Sequence, residues 1–96
     1  MPVSFEWDFD KAQANLKKHK VSFDEAATVF DDPLARNYYD EGHSIGEARE
    51  LILGHSNLNR LVLVSFTERG RDRLRIISAR LPTKRERRSY EENEDA

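Results

Sequence analysis

The amino-acid sequence predicts an α+β protein with elements in the order β-α-α-β-β-β-β-α. Three observations predict it: an alternating apolar run at Val3, Phe5 and Trp7; helical spacing with start signals from Asp8 to Phe30; and strand-like runs from Leu34 to Arg80 that stop at Pro82. Alternation with period 2 suits a short first strand, because successive side chains leave a strand on opposite faces. Phe9, Ala12, Leu16 and His19 then form an apolar stripe at helical spacing. Asp8 or Asp10 can cap the start of that helix, and Lys17, Lys18 and Lys20 gather where the helix dipole favours cations.

Ser22 with Glu25 reads as a capping box, and Phe23, Ala26, Ala27 and Phe30 give the stripe of a second, short helix. Pro33 disfavours helix at Asp32, which is expected to be extended or turning. Leu34 to Tyr39 is a strand candidate, Asp40 to Glu47 a polar loop with two glycines, and Arg49 to Gly54 the next strand. Asn57 to Arg60 suits a turn. Leu61 to Thr67, LVLVSFT, is apolar on both parities, as a central strand covered on both faces would be. After the turn at Glu68-Arg69-Gly70, the strand from Asp72 to Arg80 puts Leu74 and Ile76 on one face, Arg73 and Arg75 on the other. Thr83 with Glu86 makes a second capping box and opens a C-terminal helix. Residues 1–90 are expected to form one domain, and Glu91 to Ala96 an acidic, unstructured tail.

The charge is strongly segregated. Arg69, Arg71, Arg73, Arg75, Arg80, Lys84, Arg85, Arg87 and Arg88 face only Asp72 and Glu86, so residues 69–88 carry 9 − 2 = +7. Residues 1–68 sum to 7 − 12 = −5 and the tail adds −4, giving the net −2. A dense positive patch on an acidic body suits a protein that holds a polyanion. No cysteine is present, which removes disulfides and thiolate metal sites. His19, His43 and His55 lie far apart without a metal-binding spacing, so no cofactor is expected. The absence of an apolar run of membrane-spanning length and of a signal sequence points to the cytoplasm.

Two segments, FEWDFDKAQANLKKHKVSFDEAATVFDDPLA and TERGRDRLRIISARLPTKRERRSYEE, carry a resemblance to the BrnT family of type II toxin–antitoxin toxins. The N-terminal motif falls on Trp7, Asp8, Lys11, Asn15, Lys18 and His19. The C-terminal one falls on Thr67, Glu68, Arg69, Arg75, Ser78, Arg80, Glu86, Arg87 and Tyr90. The resemblance implies a RelE-like fold: a mainly antiparallel sheet packed against two N-terminal helices, with a C-terminal helix. It also implies a ribonuclease that halts translation and a ribbon-helix-helix antitoxin of the BrnA type, joined as a heterotetramer. DNA would be met only through the antitoxin. One departure is Lys20, where many relatives have glycine.

The chemistry can be argued from residue types. Cleaving RNA without a metal uses the 2′-hydroxyl as nucleophile, so the protein supplies a base, a cation for the phosphorane and an acid for the 5′-oxygen. Arginine suits the middle role, since its planar fork binds phosphate bidentately and keeps its charge. Arg80, at a strand end before Pro82, is the first candidate, with Arg75 and Arg69 behind it. Glu68 beside Arg69 is a candidate base, and Tyr90 could donate to a phosphate or stack on a base. His19 and His55 suit acid–base work by residue type alone. Arg73, Arg75, Lys84, Arg85, Arg87 and Arg88 are the candidate RNA contacts.

Plainer roles compete with these. Arg87 with Glu91 and Arg88 with Glu92 could form i, i+4 pairs; Arg71 and Arg73 could blunt a strand edge. Glu68 could neutralise Arg69, and Arg80 could bridge to Glu86. Two function classes follow: a metal-independent endoribonuclease toxin, or a non-catalytic module whose basic 69–88 surface binds RNA or a partner.

Overall fold

Strand β1 spans Ser4–Glu6, helix α1 Phe9–His19, helix α2 Phe23–Thr28, and strand β2 Arg36–Tyr39. Strands β3 (Glu50–His55), β4 (Leu61–Glu68) and β5 (Arg73–Arg80) follow, then helix α3 (Lys84–Glu92). This is a computed structural model, and it describes residues 3–39 and 48–92. The polar loop expected at Asp40 to Glu47 and the end of the acidic tail lie outside the described residues. Glu91 and Glu92 continue α3.

The local signals act as their chemistry requires. Asp8 caps α1 by accepting from the Lys11 N–H at 2.9 Å, and Ser22 caps α2 from the Glu25 N–H at 3.0 Å. The box at α3 closes in both directions: the Glu86 N–H donates to Thr83 Oγ1 (3.1 Å) and the Thr83 N–H to Glu86 Oε1 (2.8 Å). At α2 only the serine half forms. The Glu25 carboxylate instead turns inward, accepting from Ser56 Oγ at 2.7 Å and from both Nε and Nη2 of Arg60. Arg60 holds its carboxyl below the usual range, against the opposing pull of burial. Lys20 ends α1 in the left-handed region at φ 62°, its N–H returning to the Leu16 carbonyl.

Among the described residues the strands make one sheet in the order β1-β5-β4-β3-β2. β1 runs parallel to β5, and the other neighbours are antiparallel. Val62, Val64 and Phe66 of β4 face α1 and α2 together with Phe23, Ala26, Val29, Ile52, Ile76 and Ala79. Leu61 and Leu63 face the opposite way, against Leu53, Leu51 and Tyr90 of α3. Both parities of β4 are therefore buried, as its sequence predicts. The larger cluster is closed by rings: Phe30 lies 5.2 Å from Phe5 and 4.9 Å from Phe66, and Trp7 packs edge-on against Phe23 at 5.8 Å.

The α1 stripe departs from expectation. Phe9 is 70% exposed and Leu16 43%, whereas Asn15 is buried. Its amide donates to the Val21 (2.9 Å) and Ala79 (2.8 Å) carbonyls and accepts from the Ala79 N–H (3.1 Å), stitching α1 to β5. A fully bonded polar side chain has displaced two apolar ones from the inner face.

One irregularity in β5 matters for the site. Ser65 pairs with Ser78 but Phe66 with Ile76, so Ile77 is an extra residue in the ladder. The bulge resets the alternation. Arg75, Ser78 and Arg80, of mixed parity in sequence, consequently share the sheet face that carries Leu63 and α3.

Candidate nucleic-acid interface

Two arginine groups occupy opposite ends of β5. At the first, Glu6 of β1 stands directly beside Arg75 in the parallel ladder and accepts from its Nη1 at 2.9 Å. Arg73 Nε lies 3.6 Å and Arg69 Nε 3.9 Å from the same carboxylate. The ladder that reads as open cationic surface is thus gathered on one anion. The pairs also fasten the short β1 to the sheet, helped by the Ser4 N–H on the Asp72 carbonyl at 2.9 Å.

At the second end, Arg80 holds Glu86 in a fork. Nη1 donates to Oε1 at 2.9 Å and Nη2 to Oε2 at 3.0 Å, while Nη1 also reaches the Leu81 carbonyl at 3.1 Å. The pairing raises the Arg80 pKa further, and Arg80, opposed by burial and helped by the Thr83 N–H, holds the Glu86 carboxyl below its usual range. Of the five donors of the guanidinium, Nε–H and one Nη2–H make no bond among the described residues. The side chain is 39% exposed. Lys84, Arg85 and Arg88 stand on the same helix, exposed and without an acidic partner among the described residues. Arg87 pairs with Glu91 at 3.4 Å as its spacing allows. The corresponding Arg88–Glu92 pair does not form.

Glu86 and Tyr90 are one helical turn apart, about 6 Å between neighbouring Cβ atoms. The next polar group along α3 is therefore close. Tyr90 Oη donates to Asp32 Oδ2 at 3.2 Å and lies 3.4 Å from His55 Nδ1. The His55 ring stands edge-on to the tyrosine at 5.6 Å, and its Nδ1 is 3.7 Å from Asp32 Oδ2. Asp32 also accepts from the His55 N–H (2.7 Å) and the Leu34 N–H (2.9 Å), a turn in keeping with the following Pro33. Burial alone would raise the Asp32 pKa, but these donors together bring it below the usual value. Burial and the Asp32 charge raise the Tyr90 phenol, so it remains a donor at neutral pH. Gly54 permits the arrangement. A Cβ there would stand 2.9 Å from Asp32 Oδ2 and 2.8 Å from Ala35 Cβ. In front of the cluster is a cleft of about 450 Å³ lined by Thr28, Asp31, Asp32, His55, Ser56 and Asn57.

The structure divides the sequence-named residues between these places. Arg80, Tyr90, Lys84, Arg85 and Arg88 gather around α3, with Arg87 on its outer side. Arg69, Arg73 and Arg75 gather on Glu6, and Glu68 beside them is exposed, with no ion pair among the described residues. Glu68 lies opposite Leu74 while Arg80 lies opposite Leu63, five residues along β4 and so roughly 16 Å away at ~3.3 Å per residue. Glu68 and Arg80 therefore do not meet at one phosphate. Sequence reasoning assigns Asp32 only a turn and Glu6 nothing. The adjacency of Asp32 to Pro33 and of Gly54 to His55 are the only local signals.

These features define a small α+β protein whose last helix brings together exposed cations, a forked arginine and a tyrosine–histidine–aspartate group. A family model described as the ribonuclease toxin BrnT of a type II toxin–antitoxin system matches residues 7–86. The chain belongs to the BrnT family. A similar solved structure is the crystal structure of the Brucella abortus ribonuclease toxin BrnT, which aligns with a TM-score of 0.67 at 23% identity over 85% of this chain and 99% of that one. At that identity the likeness speaks for the fold, and the fold is the α+β order read from the sequence. No curated protein matches the chain.

Proposed function

We propose that the chain is a metal-independent endoribonuclease that cleaves RNA by attack of the 2′-hydroxyl and so inhibits translation. The observation that carries this reading is Arg80. Glu86 fixes its plane, the end of β5 fixes its base, and two donors are left to meet a phosphorane. Lys84, Arg85 and Arg88 would neutralise flanking phosphates. Arg69, Arg73 and Arg75, already shared with Glu6, would contribute to RNA binding less than their number suggests, and Glu68 would take no part at the Arg80 phosphate. Tyr90, a held donor, would position rather than abstract protons.

The antitoxin in this reading is a ribbon-helix-helix protein of the BrnA type, assembling with the toxin as a heterotetramer in the cytoplasm and supplying the DNA contact. Its acidic or amphipathic element would cover the α3 cations, since a free ribonuclease is toxic to its host. One observation favours the second reading, a non-catalytic RNA- or partner-binding module: a glutamate already occupies two arms of the Arg80 fork. The deciding experiment incubates purified protein with an RNA oligonucleotide in EDTA. New 2′,3′-cyclic phosphate and 5′-hydroxyl ends select the enzyme, whereas binding without cleavage selects the module.

A further inference from the structure

We propose that His55 is a proton-transfer residue for RNA cleavage, with Asp32 and Tyr90 as its positioning residues. The inference rests on the ribonuclease reading above and adds to it the group that Arg80 cannot supply, a base. A guanidinium stays protonated and can only stabilise charge.

Three observations support the assignment. The His55 Nδ1 lies 3.4 Å from Tyr90 Oη, whose own proton goes to Asp32, so the phenol oxygen accepts from Nδ1–H and Nε2 is left for chemistry, with the carboxylate 3.7 Å behind. Its exposure is 47%, against 10% for Asp32, so the ring meets solvent while its support is sheltered. The support is over-determined: Asp32 is bonded from three sides, and the space it fills exists because residue 54 has no side chain. A structural histidine would not need an exposed ring; a working one does.

The location agrees. His55 lies opposite Leu61 and Arg80 opposite Leu63, on the same face of the sheet and two strands apart. Their Cα atoms are therefore roughly 12 Å apart, from ~4.8 Å per strand and ~3.3 Å per residue. One dinucleotide can touch both side chains. The cleft of about 450 Å³ in front of His55 is of ligand size, and the exposed Asn57 amide offers it a neutral polar group, the Ser56 and Thr28 hydroxyls being held by Glu25.

In the step, neutral His55 takes the 2′-hydroxyl proton on Nε2 as the O2′–P bond forms. The P–O5′ bond breaks, the 5′-oxygen takes a proton from water, and imidazolium later returns its proton to solvent. The products are a 2′,3′-cyclic phosphate and a 5′-hydroxyl, and no oxidant or metal enters the balance. The groups around His55 are Asp32 from the turn, Tyr90 from α3 and Asp31, which lines the same cleft, with Arg36 and Tyr38 of β2 acting on Tyr90.

The test measures cleavage of an RNA oligonucleotide in EDTA from about pH 5 to 9, with RNA affinity and thermal melting recorded for each variant. His55→Gln should cut at least about a hundredfold more slowly, the usual scale for a lost general base, while binding RNA within about twofold and melting normally. Its pH–rate profile should lose the acid limb. Asp32→Asn should lower kcat with KM nearly unchanged, because the ring loses the group that orients it while the RNA contacts remain. Should His55→Gln melt early, His55→Asn and the lowered kcat of Asp32→Asn carry the decision. Wild-type rates in His55→Gln, or an acid limb that persists in it, overturn the assignment. A wild-type protein that leaves no cyclic ends overturns the ribonuclease reading itself, and His55's role with it.

Discussion

The two ends of β5 carry like charge and treat it differently. At the Arg73 end three guanidinium groups converge on the single carboxylate of Glu6, and the result fastens β1 to the sheet. At the Arg80 end one guanidinium holds one carboxylate, and three further cations on α3 have no acidic partner among the described residues. A formal sum over residues 69–88 gives both ends the same weight. What a phosphate meets depends on where counter-charges sit, and Glu6 comes from the far end of the sequence.

The largest expected effect separates the ends by chemistry. Arg80→Ala should lower cleavage at least about a hundredfold with RNA affinity nearly intact, and lysine should not rescue it, since a point charge lacks the fork. Arg75→Ala should change the rate by less than about threefold. Its cost should instead be roughly 0.5–1 kcal/mol of stability, the scale of a partly exposed ion pair, seen as an earlier melt. Equal rates in the two variants would remove the distinction and the catalytic role of Arg80 together.

A binding titration sharpens the contrast further. If about four to six phosphates are neutralised, log K should fall against log salt with a slope of roughly −3 to −4 on single strands. Reversing Lys84, Arg85 and Arg88 to glutamate should flatten that slope by about 2 or more, at ~0.7 for each phosphate no longer neutralised. The same reversal at Arg69, Arg73 and Arg75 should flatten it by less than about 1. A larger change from the second set would mean that RNA displaces Glu6 from the ladder.

Glu6→Gln approaches the same comparison from the other side. Freed of the shared anion, the ladder should become available, steepening the salt slope by about 1 and raising affinity a few-fold at low salt. An unchanged slope would put the ladder outside the RNA path altogether.

How much of this is legible in the sequence follows from the range of each interaction. The Thr83–Glu86 box, the Pro82 stop and the two-faced apolar run of β4 are local, and the structure keeps them. The α1 stripe misleads because Asn15 is satisfied by Val21 and Ala79, the second of them 64 residues away. The Ser22–Glu25 box is half right for a similar reason, since Arg60 competes for the glutamate. Arg80 can be found because it ends a strand. Tyr90 and His55 are named by residue type, but their grouping with Asp32 cannot be read, because the three meet only once β3, the turn after α2 and α3 are in place. The bulge at Ile77, which brings Arg75 and Arg80 to one face, leaves no mark in composition or spacing.

The smallest effect concerns acid stability, and it tests whether the Arg80–Glu86 fork also holds α3 down. Arg80 keeps the Glu86 carboxyl below its ordinary range in the fold, so the unfolded chain takes up the proton first as pH falls. The stabilisation is complete above the unfolded value of about 4.3 and is lost as pH drops through the lower folded value. Asp32 acts in the same direction at the other end of the helix. Melting temperature should therefore be level from neutrality to about pH 5 and decline below that. Glu86→Gln keeps the capping geometry but removes the titration, so it should melt slightly earlier at pH 7 and lose less on acidification. With the carboxylate 33% exposed, solvent screening limits the difference to under about 1 kcal/mol, a few degrees for a chain of this size. If Glu86→Gln and wild type decline in parallel, the fork contributes no net stability. Its geometry then serves the phosphate, and the tethering of α3 falls to Tyr90, Asp32 and the leucines beneath it.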